Sequence, residues 1–521
     1  MKKNRLLPIL ILLISSLAFQ GCTDWLNVNP REEMTEGRAF STELLTNSVL
    51  NGIYRDLSWS SLYGGSLTWD FTEYLARYYF FATGTGVLLA PFNSWGQVAQ
   101  WNYGNDYVRP RIAAIWNSAY QLIMRLNVFI DNMEQLDERI MRESRRQVLI
   151  GEAHALRAFL HFDIYRLFGP VHITDAHGGL PYNNRPYAAV HQRLPVTEFI
   201  DLVLEDLETA LELLINDPIR TYGVNDDHRE IVADASLTQE DIFAEFYRNR
   251  RMNYFAVRAL QTRVLLHVGR YIEAENAAQE TLNAIREQDT FEWVSVTDAR
   301  RNDDWVFYRE VLFGVNNPRL HYNWERTFNR RQAGSSHLVT RYMLLNNFFP
   351  EFAVSAVADV VTDVRADQWI LADVVGYAAA IVPVSYVSTK FREPHRPPLQ
   401  SALFLHYMQP LLRMSELYLT LVETALHRGD VPAAATALNT LLTRRGYPVE
   451  LLLGFESPPT EAEVRARLER NVYLEFVGEG QAFFFLKRNN KSLVFNPVIG
   501  GHTFRPGTYV LPLPRTETDI F

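Results

Sequence analysis

Cysteine is almost absent from this chain: it occurs once in 521 residues, at Cys22. A single thiol cannot form a disulfide within the chain, and it cannot supply the several sulfur ligands of a cysteine-based zinc site. The fold must therefore be stabilised by its hydrophobic core. Hydrophobic residues make up 47% of the chain, which is enough for one or more complete cores.

The position of Cys22 indicates what the cysteine is for. Met1–Arg5 is a short positive segment, Leu6–Phe19 is apolar, and Gln20-Gly21 directly precedes the cysteine. This pattern is typical of a secretion signal with a small residue before its cleavage site. The cysteine after that site predicts a lipoprotein signal peptide over 1–21 and lipidation of Cys22.

Two residues of this signal depart from the usual pattern. Phe19 and Gln20 stand where leucine and a small residue normally precede a lipidated cysteine. The alternative is an ordinary secretory signal that leaves a free thiol near the N-terminus. An exposed free thiol is open to oxidation, which favours the lipid anchor and makes 22–40 an anchored tether.

Long apolar runs and an excess of positive charge are also lacking. After the signal, no segment approaches the roughly 18 apolar residues of a membrane-spanning helix. The net charge is −9, and removal of 1–21 takes away Lys2, Lys3 and Arg5 but no acid, which gives −12. We expect no binding of nucleic acid, because phosphate backbones are held by clustered lysine and arginine.

The spacing of apolar residues predicts a mainly helical protein. A first helix is predicted from Ser41, which can cap it. Residues 58–110 and 290–408 show no sustained period, are rich in aromatic residues and asparagine, and are predicted to be structured loops with few helices. Apolar residues recur at helical spacing over 111–135, 142–168 and 195–215.

Two segments share the pattern of a tetratricopeptide-like helix pair. In each, two helices flank a turn that begins with glycine, and small residues allow the helices to pack closely. Such pairs bury their apolar faces only by stacking, so the predicted fold is all-α, a helix-pair solenoid with long loop-rich excursions. The predicted pairs are Asn253–Val268 with Tyr271–Ile285, and Leu411–Arg428 with Val431–Leu442.

Segments from one end of the mature chain to the other resemble the SusD/RagB family of Bacteroidetes outer-membrane lipoproteins. The chain departs from the family after Glu479-Gly480, where Ala482 and Phe485 replace a usual arginine and aspartate. We interpret this as a divergent member with apolar packing at that point. The segments that carry the resemblance are Cys22–Pro30, Trp116–Tyr120, Gly151–Pro170, Glu469–Arg488 and Leu511–Pro514.

The resemblance implies a binding protein and not an enzyme, with no cofactor. Members of the family are lipid-anchored at the cell surface, cover a SusC-type TonB-dependent transporter of the outer membrane, and capture oligosaccharides or, in some branches, peptides for import. The expected organisation is a signal peptide over 1–21, a tether over 22–40, an N-terminal SusD-like helical region over 41–290, and a C-terminal SusD/RagB region over 291–521 with the loop-rich ligand block and the last helix pair.

Two aromatic clusters outside the repeat helices are candidate ligand-binding sites. A glycan site needs flat aromatic faces and a few well-placed polar groups, and the family's ligand-contacting loop lies in a position comparable to the first cluster. The alternative for each ring is that it packs a loop against the scaffold. The candidate residues are Trp95, Trp101, Asn102 and Tyr103 in the first cluster, and Trp305, Tyr322, Asn323, Trp324 and Arg326 in the second.

Residue patterns for metal binding or catalysis are sparse. His154 and His161 lie seven positions apart, whereas a zinc pair on one helix needs a spacing of three or four, so both are predicted to be structural. No spaced aspartate loop for calcium and no Gly-x-Ser-x-Gly or His-Glu-x-x-His motif occurs. Two alternatives stay open: a surface glycoside hydrolase, which needs two carboxylates about 5–10 Å apart, and a scaffold that binds proteins in its repeat grooves.

Overall fold

The structure is a computed structural model that describes 35–79, 94–173, 178–187, 192–224, 247–328, 362–371, 385–392, 407–491 and 507–515, together with short strand segments at 82–83, 86–87, 339–340, 493–494 and 502–503. Cys22 and most of the predicted tether lie outside the described residues. Within those residues, sixteen helices and only short strands confirm the all-α prediction.

The N-terminal half contains most of the long helices. They are α1 (Glu36–Ala39), α2 (Glu43–Asp56), α3 (Phe71–Leu75), α4 (Ser94–Ala99), α5 (Arg109–Glu134), α6 (Glu143–Phe168), α7 (Val196–Leu213), α8 (Ile219–Tyr222), α9 (Tyr254–His267) and α10 (Tyr271–Gln288), with the two-residue strands β1 (Ala82–Thr83), β2 (Gly86–Val87), β3 (Leu180–Pro181) and β4 (Arg193–Leu194). The paired strands are β1 with β2 and β3 with β4.

The C-terminal half alternates short elements with a second set of helices. They are α11 (Val296–Asn302), β5 (Val311–Asn316), α12 (Leu320–Thr327), β6 (Val339–Thr340), β7 (Trp369–Leu371), β8 (Ser385–Ser388), β9 (Met408–Arg413), α13 (Met414–His427), α14 (Val431–Arg444), α15 (Glu461–Glu475), α16 (Gln481–Arg488), β10 (Leu493–Val494) and β11 (His502–Thr503).

Helix α6 is the centre of the N-terminal half. It packs between α5 and α7, and almost every side chain from Val148 to Phe168 is buried. Pro110 stands in the first turn of α5, where its missing N–H leaves no helical hydrogen bond unmade. The predicted cap of α2 is wrong by one residue, because the Thr42 hydroxyl, and not that of Ser41, accepts from the Leu45 N–H at 3.3 Å.

The two predicted helix pairs are α9 with α10 and α13 with α14, and they stack through α10 and α13. Asn253 caps α9 by accepting from the Ala256 N–H at 3.0 Å, and Asp430 caps α14 in the same way. Gly269 and Gly429 end the first helix of each pair at a φ of +80°, a left-handed conformation that favours glycine.

One strand pairing was missed by the sequence-based prediction. The segment Leu411–Arg413, predicted as the start of a helix, is the end of β9, which pairs antiparallel with β5 from Val311↔Arg413 to Asn316↔Met408. The partner strand is almost a hundred residues away in sequence, so the local apolar pattern cannot reveal it. The pairing fixes the start of α13 against the loop-rich block.

Candidate ligand-binding surface

Trp95, on α4, is a half-buried ring held between two partners. Its indole stacks on Tyr74 of α3, with centroids 4.9 Å apart and planes 19° apart. The Arg111 guanidinium lies 4.8 Å from the same indole centroid, a distance at which a cation is attracted to an aromatic face. The ring is therefore oriented before any ligand arrives, and part of it remains exposed.

Trp101 is fixed by its backbone and by its indole nitrogen. It has a φ of +55°, a left-handed conformation that is unfavourable for a bulky residue. Its indole N–H donates to the Leu75 carbonyl at 3.0 Å, and the Arg77 guanidinium lies 4.2 Å from its ring centroid. Burial lowers the pKa of Arg77 to about 10, so the guanidinium stays charged beneath the indole at neutral pH.

Asn102 and Tyr103 have different surroundings. The Asn102 amide donates to the Gln97 side chain at 2.7 Å on the exposed surface, where both amides can reach a solute. The Tyr103 hydroxyl donates to the Thr508 carbonyl at 2.5 Å, and burial raises the pKa of this phenol. Tyr103 thus ties the loop to the C-terminal segment, while Asn102 faces outward.

The second cluster divides into exposed and buried members along α12. Tyr322 is 61% exposed, and the Arg326 guanidinium lies 5.5 Å from its ring centroid. Asn323 is half-buried and Arg326 is exposed. Tyr322, Asn323 and Arg326 are therefore available to a ligand.

Trp324 and Trp305 pack in cores. Trp324 is 1% exposed, its indole N–H donates to the Ser388 carbonyl at 3.0 Å, and it stacks on Phe328 with centroids 3.7 Å apart. Trp305 packs against a small separate core of Val294, Ala299, Phe307 and Val364. Their positions correspond to the packing alternative that the sequence left open.

A continuous chain of rings connects the two clusters. Trp95 stacks on Tyr74, Tyr74 meets Tyr79 edge to face at 5.9 Å, and Tyr79 meets Phe328 edge to face at 5.3 Å. Phe328 in turn stacks on Trp324. Segments that are more than two hundred residues apart in sequence therefore share one aromatic core, with Trp95 at one end and α12 at the other.

A buried ionic cluster lies in the C-terminal half. Glu475 accepts from Arg413 at 2.7 Å and from Arg365 at 3.0 Å, and Arg413 also donates to Glu479 at 3.0 Å. Burial alone would raise the pKa of Glu475, but Arg445 and Arg413 hold that pKa well below its usual range. The full cluster comprises Glu310, Asp363, Glu475 and Glu479 with Arg365, Lys390, Arg413 and Arg445.

The ionic cluster joins the aromatic core through the turn after α15. The Gly478 N–H donates to Glu73 at 2.6 Å, and Glu73 belongs to α3, next to Tyr74. Ala482 and Phe485, where the family usually carries a charged pair, are 3% and 5% exposed. The expected apolar packing at that point is confirmed.

His154 and His161 both contact protein groups. His154 contacts Asp206 at 2.8 Å, while His161 contacts the Arg157 carbonyl at 2.9 Å and stacks on Tyr182 with centroids 3.9 Å apart. Among the residues that the structure describes, no group of three or more His, Cys, Asp or Glu side chains is placed to hold a metal ion.

Sequence reasoning missed the arginines of this surface. Arg77 and Arg111 lie 24 and 16 positions from the tryptophans they contact, Trp101 and Trp95, so local spacing gives no sign of either pair. Among the helices that the structure describes, none is long and apolar enough to cross a bilayer.

Two family models match this chain, one in each half. A family model described as "Starch-binding associating with outer membrane" matches residues 24–226, and the SusD family model matches residues 278–504. The chain is a member of the SusD/RagB family. Proteins of this family are associated with the outer membrane.

Two curated relatives come from Formosa agariphila. The chain is 35% identical to SusD-like protein P38 over 96 residues, which are 18% of this chain and 17% of that protein. It is 25% identical to SusD-like protein P2 over 217 residues, which are 41% of this chain and 38% of that protein. The matches therefore span well under half the length of either relative.

Solved structures share the fold over nearly the whole chain. A SusD superfamily protein from Bacteroides thetaiotaomicron has a TM-score of 0.66 at 21% identity, with 92% of this chain and 98% of that chain covered. A protein named surface glycan-binding protein A, from the same organism, has a TM-score of 0.61 at 15% identity, with the same two coverages. At these identities the likeness concerns the fold.

Proposed function

We propose that this SusD/RagB member captures oligosaccharides at the cell surface and delivers them to a SusC-type TonB-dependent transporter in the outer membrane. The observation that carries the proposal is the set of accessible rings at Trp95, Trp101 and Tyr322. A chain of ring contacts connects Trp95 to Trp324, which lies on the same helix as Tyr322. Sugar rings stack on such faces through polarised C–H groups. The starch-binding description of the matched family supports the same ligand class.

The aromatic rings and the polar side chains would bind different parts of a sugar. Trp95, Trp101 and Tyr322 offer apolar faces, while Asn102 and Asn323 offer amides that can bind hydroxyl groups. Each stacked ring contributes about 1 kcal/mol beyond its burial, so two or three rings give the weak affinity that suits a protein that must release its cargo. Lipidation of Cys22 would hold the protein in the same membrane as its transporter.

The test is affinity electrophoresis in gels that contain one polysaccharide at a time. Tyr322→Ala is the sharpest variant, because a residue that is 61% exposed contributes little to folding. Trp101→Ala is the second, with its thermal stability measured in parallel. Phe455→Ala is the matched control, since Phe455 is 54% exposed in the loop between α14 and α15, outside both clusters.

We expect both site variants to lose retardation while Phe455→Ala retains that of the unaltered protein. Equal retardation of all four proteins would contradict the assignment of this surface. Peptide capture is the alternative ligand class, tested by the same variants with peptide mixtures. Release of reducing ends from a glycan by the purified protein would show instead a surface glycoside hydrolase.

A further inference from the structure

Each exposed ring surface carries a guanidinium of its own. Arg111 lies 4.8 Å from the centroid of Trp95, and Arg326 lies 5.5 Å from that of Tyr322. The two pairs come from different halves of the chain and stand near opposite ends of the shared aromatic core. Each of these two pairs thus combines a stacking ring with a cation on the proposed ligand surface.

Arg111 and Arg326 have no carboxylate partner among the residues that the structure describes. Arg111 donates to the Tyr107 carbonyl at 2.6 Å, and in the described part of the chain neither Arg111 nor Arg326 takes part in an ion pair with an acid. The neighbouring Arg109, in contrast, is paired with Asp106 at 2.7 Å. Two guanidinium groups beside exposed rings therefore keep their charge available to a ligand.

The sequence around Trp95 also lacks acidic residues. No acidic residue occurs between Glu73 and Asp106 in the sequence. The whole chain has 60 acids in 521 residues and a net charge of −9. Local charge decides which ions a surface attracts, and Arg111 and Arg326 place positive charge beside Trp95 and Tyr322.

We propose that the ligand is an anionic oligosaccharide, whose carboxylate or sulfate ester groups are bound by Arg111 and Arg326. The proposal rests on the glycan-binding function proposed above and adds the class of glycan. A planar guanidinium can donate two parallel hydrogen bonds to a carboxylate or sulfate oxygen pair. The sugar ring stacks on Trp95 or Tyr322 while the anionic group on the same or the next sugar meets the adjacent arginine.

Affinity electrophoresis of the mature protein tests the charge class directly. The gels contain starch, polygalacturonate, a sulfated galactan or polyglutamate, so that neutral sugar, carboxylate sugar, sulfate sugar and charge without sugar are compared. The variants are Arg111→Gln and Arg326→Gln. Arg465→Gln is the matched control, because it removes the same charge from an exposed pair with Glu461 on α15.

We expect one of the two anionic polysaccharides to retard the protein more strongly than starch, and each site variant to weaken that retardation about tenfold, as for loss of a charge-assisted hydrogen bond. Arg465→Gln should bind like the unaltered protein. Retardation should fall in about 0.5 M salt, where exposed charges are screened. Whether polygalacturonate or the sulfated galactan is retained identifies the anionic group.

Three results would overturn the proposal. If starch retards the protein as strongly as the anionic polymers and the arginine variants bind normally, the ligand is neutral and the glycan-binding function stands. If polyglutamate retards the protein as strongly as the polysaccharides, the surface recognises charge without sugar. If no polysaccharide retards the protein, both the charge class and the proposed function fail.

Discussion

Arg445 and Glu475 form a two-point ion pair in the interior of the C-terminal half. The Arg445 Nε–H donates to Glu475 Oε2 at 3.0 Å and its Nη2–H donates to Oε1 at 2.5 Å. Both side chains are completely buried. Charges this far from water are stable only when each is matched by partners, and the cluster around them contains equal numbers of acids and bases.

We predict that Glu475→Gln destabilises the protein by about 3–5 kcal/mol, because it leaves buried arginines without their carboxylate. The free energy of unfolding is measured by urea denaturation. Glu461→Gln serves as the control: Glu461 is 52% exposed in its pair with Arg465, and an exposed pair contributes less than about 1 kcal/mol. Similar losses in both variants would contradict this assignment.

We predict that the burial of Glu73 makes the stability of the protein depend on pH. Burial raises the pKa of Glu73 to about 8 from an ordinary value of 4.5. In the folded protein the carboxyl keeps its proton up to about pH 8, while the unfolded chain loses it near pH 4.5, so the free energy of unfolding falls as pH rises between these values. Glu73→Gln should flatten this slope and raise stability at pH 8.

Urea midpoints at pH 5, 6.5 and 8 check the Glu73 prediction. A glutamine can still accept from the Gly478 N–H, the contact that Glu73 makes at 2.6 Å, so the comparison isolates the titration. The two proteins should differ most at pH 8 and least at pH 5. Parallel pH profiles for the two proteins would refute the prediction.

Trp324→Ala and Tyr322→Ala should differ strongly in their effect on the free energy of unfolding. Trp324 is 1% exposed and Tyr322 is 61% exposed, two positions apart on α12. Truncation of a buried tryptophan costs about 3–5 kcal/mol, whereas Tyr322→Ala should change the unfolding free energy by less than about 0.5 kcal/mol. Calorimetric melting curves measure both, and a large loss for Tyr322→Ala would contradict its placement on the surface.

Gly480 and Gly429 have the same backbone handedness but different surroundings. A Cβ at Gly429, with a φ of +80°, would meet nothing within 4 Å, whereas a Cβ at Gly480, with a φ of +72°, would lie 2.2 Å from the Leu67 carbonyl oxygen. Gly429→Ala should therefore lower the free energy of unfolding only by the cost of a left-handed backbone for alanine, about 1–2 kcal/mol. Gly480→Ala should lower the free energy of unfolding considerably more, because the new Cβ also clashes with the Leu67 carbonyl. Thermal denaturation of the two variants measures this difference.

Cys22→Ala tests the anchor. We expect the variant to lose incorporation of radiolabelled fatty acid and to leave the membrane fraction, because the predicted lipid chain on Cys22 is the proposed membrane anchor. Protease treatment of intact cells then tests the predicted exposure of the unaltered protein. Fatty-acid labelling of the Cys22→Ala variant at the normal level would exclude lipidation at this residue.

The sequence was sufficient for most of the long helices and insufficient for the contacts between them. Apolar periodicity and glycine turns predicted α5, α6, α7 and both helix pairs to within a few residues, because these signals are local. The pairing of β5 with β9, the burial of Trp324 and the proximity of Arg111 to Trp95 depend on residues far apart in the chain. Composition alone could therefore name the aromatic clusters but could not say which rings face water.

The continuous chain of rings contains residues from both halves of the protein. Tyr74 and Tyr79 come from the segment before α4, whereas Phe328 and Trp324 come from α12, and the Tyr78 hydroxyl donates to the Tyr473 carbonyl at 2.8 Å. Either half expressed alone would present half of an aromatic interior to solvent. The two halves of the chain therefore share one aromatic interior across the connection between α10 and α11.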